Sequence, residues 1–206
     1  MRLLVLLLMF LPLLADAQPR LRDSIGRVIT TRNDAVFLGV NNVLRIAQRR
    51  MDVYAGDNIT TGPNIPIQMR MNDSGNIRLA CNSELKIHEY SSNATQAGNI
   101  TLEYFRGGVM IVSGAPQGDS FSLSTPFGQF ELGEGVFEIE QETTAAYLVG
   151  IYQGEIRGMN SEAGLQLDSI SAESFLRITL NGNVETVNRR DLLLQRERNC
   201  GAVTID

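Results

Sequence analysis

Residues 65–71 alternate apolar and polar side chains, and this pattern limits the fold more than any other feature of the chain. The apolar side chains recur at every second position: Ile65, Ile67, Met69 and Met71. A period of two is typical of a half-buried β-strand, whereas an amphipathic helix needs a period near 3.6. Residues 72–75 follow as a turn in which we expect Gly75 to adopt positive φ. The segment therefore predicts a strand that ends in a tight turn.

Further short strands are predicted along the chain, with Gly, Asn, Asp, Ser and Pro between them. They lie at residues 77–81, 85–87, 101–105, 109–112, 121–124, 127–132, 136–140, 145–150, 155–158, 175–180 and 183–187. The last two flank Asn181-Gly182, which is a strong hairpin signal. Many closely spaced strands and 19 glycines predict an all-β sandwich, barrel or solenoid.

Two segments contain helix-forming residues. Residues 34–47 fit a strand-loop-strand better than a helix. Residues 189–199 are rich in helix formers, and Gly201 stands where a C-cap is expected. The sequence therefore predicts one short helix near the C-terminus.

The N-terminus has the features of a secretory signal peptide. Arg2 precedes an apolar run over residues 3–14, and Ala15-Asp16-Ala17 offers a small-x-small cleavage site. The run is shorter than the ~20 residues of a membrane-spanning helix. We expect cleavage after Ala17, a periplasmic or secreted chain, and no membrane span once the signal is removed.

Charge and cysteine content limit the classes of partner. The formal net charge of −5 argues against nucleic acid, which is bound by clustered Lys and Arg. Cys81 and Cys200 could form a disulfide in an oxidising compartment. Alternatively, Cys81 is a buried apolar residue and Cys200 is a free thiol. The sequence does not decide between the two, because it does not show how closely their Cα atoms approach.

Candidate catalytic groups are few. The one histidine, His88, alternates with Ile87 on a predicted strand and would share a polar face with Lys86 and Tyr90. We interpret it as a surface residue, and we predict no enzyme activity, metal site or cofactor.

Paired carboxylates and aromatic side chains are the groups that could cleave or bind a glycan. Glu138 and Glu140 lie on one strand face, where two carboxylates could act as in a glycosidase, but we interpret that face as solvated. The chain has no tryptophan. A glycan-stacking platform would therefore depend on tyrosines: Tyr90, Tyr104, Tyr147 and Tyr152.

The order of the turns resembles a known family. Residues 53–62 are similar to the Gly-Asp-x-Ile-x-Thr-Gly signature of FecR-type periplasmic domains, and the later turns follow in the family's order. The matching positions are Gly56, Asp57, Ile59, Thr61, Gly62, Asp73, Gly75, Thr125, Pro126, Phe137 and Gly154. The family's Arg-Gly-Thr-x-Phe is replaced by Gly-Glu-Gly-Val-Phe at residues 133–137, and its Asp-Gly-Ser turn is permuted at residues 73–75.

The resemblance implies an organisation and a function. It implies short strands stacked in a solenoid-like or sandwich-like domain over residues 24–168, after a signal peptide at 1–17 and before a hairpin and short helical tail at 169–206. The predicted signal peptide and the scarcity of catalytic groups indicate a non-catalytic, stand-alone, secreted module, and the resemblance implies that it binds an envelope protein in a sensing or signalling system. Sensors of this family carry a cytoplasmic anti-sigma segment before the domain. Because a signal peptide occupies that place here, we expect that this chain does not itself hold a sigma factor. The alternative is a structural protein associated with the cell wall or with glycan.

Overall fold

The computed structural model describes residues 23–31, 34–64, 66–114, 118, 120–160 and 169–200. The predicted signal peptide, Ile65 and Gly201 lie outside the described residues. The elements follow in this order: β1 (Gly26–Thr30), β2 (Ala35–Leu38), β3 (Leu44–Ile46), β4 (Asp52–Val53), β5 (Asn58–Thr61), β6 (Ile67–Met71), β7 (Asn76–Leu79), β8 (Glu84–Tyr90), β9 (Asn99–Arg106), β10 (Gly108–Val112), β11 (Ser120–Thr125), β12 (Gly128–Leu132), β13 (Val136–Thr143), β14 (Ala146–Gln153), β15 (Glu155–Asn160), β16 (Ile170–Ser171), β17 (Ser174–Thr179), β18 (Val184–Thr186) and α1 (Arg189–Asn199).

The strands form two nine-stranded sheets. Sheet A has the order β4-β1-β6-β7-β10-β13-β14-β17-β18, and sheet B has the order β3-β2-β5-β8-β9-β11-β12-β15-β16. In both sheets the strands are arranged in nearly the same order as in the sequence. The chain passes to the other sheet after every one or two strands. The predicted all-β fold of stacked short strands is therefore confirmed, with a sandwich of two sheets and a solenoid-like advance along them.

The core fills the space between the sheets. Every second side chain of β6 is buried, as the alternation predicts, and Met69 is fully buried. The aromatic rings of Tyr104, Phe127 and Tyr147 meet in this core, with centroids 6.2 Å apart for Tyr104–Tyr147 and 4.7 Å apart for Phe127–Tyr147. Because three large rings interlock, this region fixes the spacing of the sheets.

Several local predictions are confirmed. Residues 34–47 form the β2–β3 hairpin, and residues 189–199 form α1. Gly182 has φ 83° in the β17–β18 turn, as Asn-Gly turns require. The structure's C-cap is Cys200. Within the described residues, no helix combines the length and hydrophobicity that a bilayer span would require.

Two local predictions are wrong. At the turn of residues 72–75, Ser74 takes positive φ (74°) in place of Gly75, because the Asp73 side chain accepts a hydrogen bond from the Gly75 N–H at 2.8 Å and fixes the turn. On β8, Tyr90 does not share the outer face of His88. A β-bulge between Ile87 and Glu89 turns Tyr90 into the core.

The interpretation of Glu138 and Glu140 as a solvated face is also wrong. Both carboxylates are buried on the outer face of sheet A, because α1 packs across β13 and β14. Leu192 of α1 is fully buried against Gly150, where a Cβ would lie 3.3 Å from the leucine. In the structure Cys200, directly after α1, forms a disulfide with Cys81, and their Cα atoms are 4.8 Å apart.

Candidate functional site

The residues that resemble the FecR signature, here called the signature residues, begin at a tight turn between β4 and β5. Gly56 has φ 88°, and its N–H donates to the carbonyl of Ile87 at 2.6 Å. A Cβ at Gly56 would lie 2.1 Å from Cγ1 of Val40. The left-handed backbone therefore favours glycine at this position. Through that contact, the signature turn supports the loop between β2 and β3.

Asp57 braces the same loop through its buried carboxylate. Oδ2 accepts hydrogen bonds from the Arg45 guanidinium at 2.5 Å and from the Tyr54 N–H at 2.9 Å. Arg45 also donates to the carbonyl of Asp52 at 2.9 Å and lies over the Tyr54 ring, 5.0 Å from its centroid. Because Arg45 belongs to β3, this ion pair ties the edge of sheet B to the signature turn.

The next signature residues have structural roles within the sandwich. Ile59 is fully buried. The Thr61 hydroxyl donates to the carbonyl of Ala80 at 2.6 Å and accepts from the Ser83 N–H at 2.8 Å. Gly62 lies so close to Asp34 that a Cβ would be 2.9 Å from its carbonyl oxygen.

The remaining signature residues stabilise separate turns. Asp73 is fully buried and accepts a hydrogen bond from the Tyr90 hydroxyl at 2.8 Å. The Thr125 hydroxyl donates to the carbonyl of Gly128 at 2.8 Å across the exposed turn at Pro126. Two further signature positions are the buried Phe137 and Gly154, whose φ is 86°. The structure therefore does not gather the signature residues into one pocket, but Gly56 and Asp57 lie beside an open surface.

That open surface is the β2–β3 hairpin, residues 35–46, which we call the edge hairpin because β3 is the edge strand of sheet B. Its register pairs Val36 with Ile46 and Leu38 with Leu44, which places these four side chains on one outer face. The four most exposed large apolar side chains of the described residues all lie in the edge hairpin: Val40, Val43, Leu44 and Ile46, with exposed fractions of 50, 57, 61 and 53%.

A cavity of about 250 Å³ opens beside the edge hairpin on the side of Arg45. Its lining consists of Gly39, Val40, Asn41, Val43, Arg45, Tyr54 and Asp57. The buried ion pair forms its polar wall, and the two valines form its apolar rim. A side chain of a partner strand could enter this cavity while the partner backbone remains at the strand edge.

The sequence alone did not reveal this site. Residues 36–46 have apolar side chains on both faces of a predicted strand-loop-strand, which was the available signal. This apolar pattern indicates a binding surface only if β3 lies at the edge of a sheet, and that position is determined by pairing between distant segments.

A second polar cluster lies under α1. The Arg196 guanidinium pairs with the Glu138 carboxylate, with Nε 2.5 Å from Oε1, and the Tyr152 hydroxyl donates to Glu138 at 2.5 Å. Burial raises the pKa of Tyr152 above its ordinary value, and the hydrogen bond to Glu138 raises it further. Each group already has a partner within the cluster, so the cluster fastens the helix to sheet A.

The other candidate groups are accounted for in the same way. His88 is partly exposed and lies 2.7 Å from Glu103. Among the described residues, no three His, Cys, Asp or Glu side chains are grouped as a metal would require. Of the four tyrosines considered for glycan stacking, Tyr90, Tyr104 and Tyr147 are buried in the core. These three side chains therefore do not form a glycan-stacking surface.

Comparisons with known proteins agree with this description of the fold. The family model described as "FecR protein" matches residues 57–157. The chain carries a FecR domain. The match begins at Asp57, the residue that braces the edge hairpin, and runs to Arg157 in β15.

Solved structures share the fold of this FecR-domain chain. Two crystal structures of a "putative anti-sigma factor from Parabacteroides distasonis ATCC 8503", at 2.50 and 1.65 Å resolution, each superpose with a TM-score of 0.52. Their sequence identities to this chain are 14 and 13%. Each alignment covers 64% of this chain and 59% of that protein, so less than two thirds of that protein is represented. No curated protein matches the chain in sequence.

Proposed function

We propose that this FecR-domain protein is a non-catalytic interaction module of the bacterial envelope, exported by its N-terminal signal and bound to an envelope protein. The observation that carries the proposal is the exposed apolar edge hairpin, which the first two residues of the FecR signature hold in place. Soluble domains rarely expose such contiguous apolar surface unless it binds something. Edge strands are moreover usually protected from pairing by charge, proline or a covering segment, whereas the one charged side chain of β3, Arg45, is paired with the buried Asp57 carboxylate.

The family and the structural neighbours support a role in sensing or signalling. FecR-type regulators act through contacts between envelope proteins, and the structural neighbour is described as an anti-sigma factor. The polar clusters of the described residues support a non-catalytic role, because Glu138 and Asp57 each bind a structural arginine.

Crosslinking in intact cells, followed by affinity purification of the mature protein, tests this function. We expect N-terminal sequencing to place the mature end after Ala17, and one stoichiometric envelope protein to be recovered. A protein that stays in the cytoplasm, or that is recovered from the periplasm without any partner, would contradict the proposal. Co-sedimentation with insoluble peptidoglycan in place of a protein partner would favour the glycan-associated alternative.

A further inference from the structure

We propose that the free edge of β3 binds an extended segment of a partner protein in which apolar side chains alternate with polar ones and acidic residues flank the strand. This inference rests on the proposed function, because it specifies the chemistry of the partner that the interaction module binds. Three independent features of the edge hairpin carry it: its backbone, its side chains and its neighbouring charges.

Among the residues that the structure describes, backbone groups of β3 are left without hydrogen-bond partners. The Gly39 N–H donates to the carbonyl of Val43 at 3.1 Å, and the Ala47 N–H donates to the carbonyl of Ala35 at 2.8 Å. In an antiparallel ladder the bonded residues alternate, so the N–H and C=O groups of Leu44 and Ile46 point away from β2. A partner strand that adds to this edge would satisfy these groups.

The side chains beside this edge match an alternating partner strand. On the outer face, Leu44 and Ile46 are more than half exposed and adjoin Leu38 of β2. On the inner side, Arg45 and Tyr54 line the cavity of about 250 Å³. One set of partner side chains would cover the outer apolar face, and a polar side chain of the other set would enter the cavity, whose wall contains the ion pair of Arg45 and Asp57.

The positive charges beside the β3 edge favour a partner segment that has acidic residues at its end. Arg49 and Arg50 form an exposed turn that is separated from β3 by Ala47 and Gln48, and neither arginine has an ion-pair partner among the described residues. This positive turn stands out on a chain whose formal net charge is −5. Acidic residues at the end of the added strand would complement it and speed association.

A second copy of the chain fits this edge less well. In an antiparallel pairing of two β3 strands, the turn of Arg49 and Arg50 would lie near the β2–β3 loop of the other copy, residues 39–43. Residues 38–46 contain no aspartate or glutamate. Self-pairing would cover the apolar face but leave both arginines without a counter-charge, so the charges favour a different, acidic partner.

Peptide binding measured by fluorescence anisotropy tests the proposed chemistry. The probe is a fluorescein-labelled peptide in which valine alternates with threonine and glutamates stand at both ends. The control peptide has the same alternating sequence but carries lysines at both ends. We expect the glutamate peptide to bind about tenfold more tightly, from two exposed charge pairs. Added salt should reduce this difference. The Arg49→Glu/Arg50→Glu double variant should reverse the preference.

A proline substitution tests the strand edge itself. Ile46→Pro removes an N–H that points away from β2, so the hairpin keeps its own hydrogen bonds. We expect at least an about tenfold loss of peptide binding, because the added strand loses one backbone bond and clashes with the ring. The matched control is Val184→Pro on edge strand β18, where the bonds of Thr179 to Asn183 and of Val187 to Phe175 leave Val184 facing outward in the same way. Melting curves establish that both variants are folded.

Each contrary result is distinct. Failure of the glutamate peptide to bind, equal binding of both peptides, or unchanged binding by Ile46→Pro would overturn the inference. Sedimentation that shows a dimer, lost in Ile46→Pro, would assign the edge to a second copy. If Ile46→Pro still captures the envelope partner in cells, the proposed function stands and the assignment to β3 falls.

Discussion

Glu138 on β13 and Arg196 on α1 form an ion pair that joins the C-terminal helix to the outer face of sheet A. Nε of Arg196 lies 2.5 Å from Oε1 of Glu138, and the Glu138 side chain is only 1% exposed. The Tyr152 hydroxyl donates to the other carboxylate oxygen. The pair therefore holds a helix over carboxylates that would otherwise face water.

Removing the arginine tests how firmly this pair holds the helix. Arg196→Ala leaves the Glu138 carboxylate buried without its cation, and we expect a loss of about 3 kcal/mol in the free energy of unfolding. Urea denaturation measures this loss. Arg198→Ala is the matched control, because Arg198 is exposed on the same helix, and its effect should stay within about 0.5 kcal/mol. Equal effects of the two substitutions would show that the ion pair contributes nothing specific.

The disulfide fastens the same helix at its C-terminal end. Cys81 and Cys200 are separated by 119 residues in sequence. Cross-linking so long a loop lowers the entropy of the unfolded chain, so the Cys81→Ala/Cys200→Ala variant should lose about 4 kcal/mol of stability. Thermal melting with and without reductant measures it. Reductant should lower the melting temperature of the wild-type protein and leave that of the double variant unchanged. If reductant does not change the melting temperature of the wild-type protein, the disulfide does not stabilise the fold.

Most of the fold follows from local patterns in the sequence. The alternation at Met69 and Met71 requires only that one face of β6 be buried, and Asn181-Gly182 determines its own turn geometry. Both predictions therefore succeed without knowledge of distant segments. The α1 helix is local in the same sense, because its residues favour helix wherever it packs.

The sequence-based predictions fail where contacts between distant segments determine the local structure. Alternation shows that Glu138 faces away from Phe137, but it does not show that α1 covers that face. The bulge that buries Tyr90 depends on pairing with β9. The proximity of Cys81 and Cys200 and the edge position of β3 depend likewise on the order of strands in the sheets. No local signal encodes that order.

The tyrosine hydroxyls predict a loss of stability at alkaline pH. Burial raises the pKa of Tyr104, Tyr147 and Tyr152 above the ordinary value of about 10. Above that pH the unfolded chain releases these protons while the native protein keeps them. The contribution of these protonated tyrosines to the free energy of unfolding is therefore fully present below pH ~10 and is lost as the pH rises further. Melting temperatures between neutral and strongly alkaline pH measure this slope. Tyr152→Phe should make it shallower, and an identical slope would exclude Tyr152 from the effect.

Charge placed in the core tests the strand assignment of β6. Met69 is fully buried, whereas the adjacent Arg70 is exposed on the opposite face. Met69→Asp should unfold the domain, because a carboxylate without a partner is strongly disfavoured between the sheets. Arg70→Asp should leave a folded protein. Circular dichroism and thermal melting distinguish the two, and a folded Met69→Asp variant with an unchanged melting temperature would contradict the assignment.

The Thr61 hydroxyl offers a test of what the FecR signature does. It donates to the carbonyl of Ala80 and accepts from the N–H of Ser83, and Thr61 is 4% exposed. Thr61→Val keeps the shape of the side chain but leaves both backbone groups without this partner. We expect a loss of about 2 kcal/mol in urea denaturation.

Thr60→Val is the control for Thr61→Val, since the neighbouring threonine lies on the outer face of the same strand and is only partly buried. Its effect should be small, or slightly stabilising for a strand position. If the two valine variants are equally stable, the signature threonine is not a structural residue, and its role would have to be sought at the surface. If only Thr61→Val is destabilised, the signature acts by holding the β5–β8 region together. The edge hairpin, which β5 supports, would then depend on it.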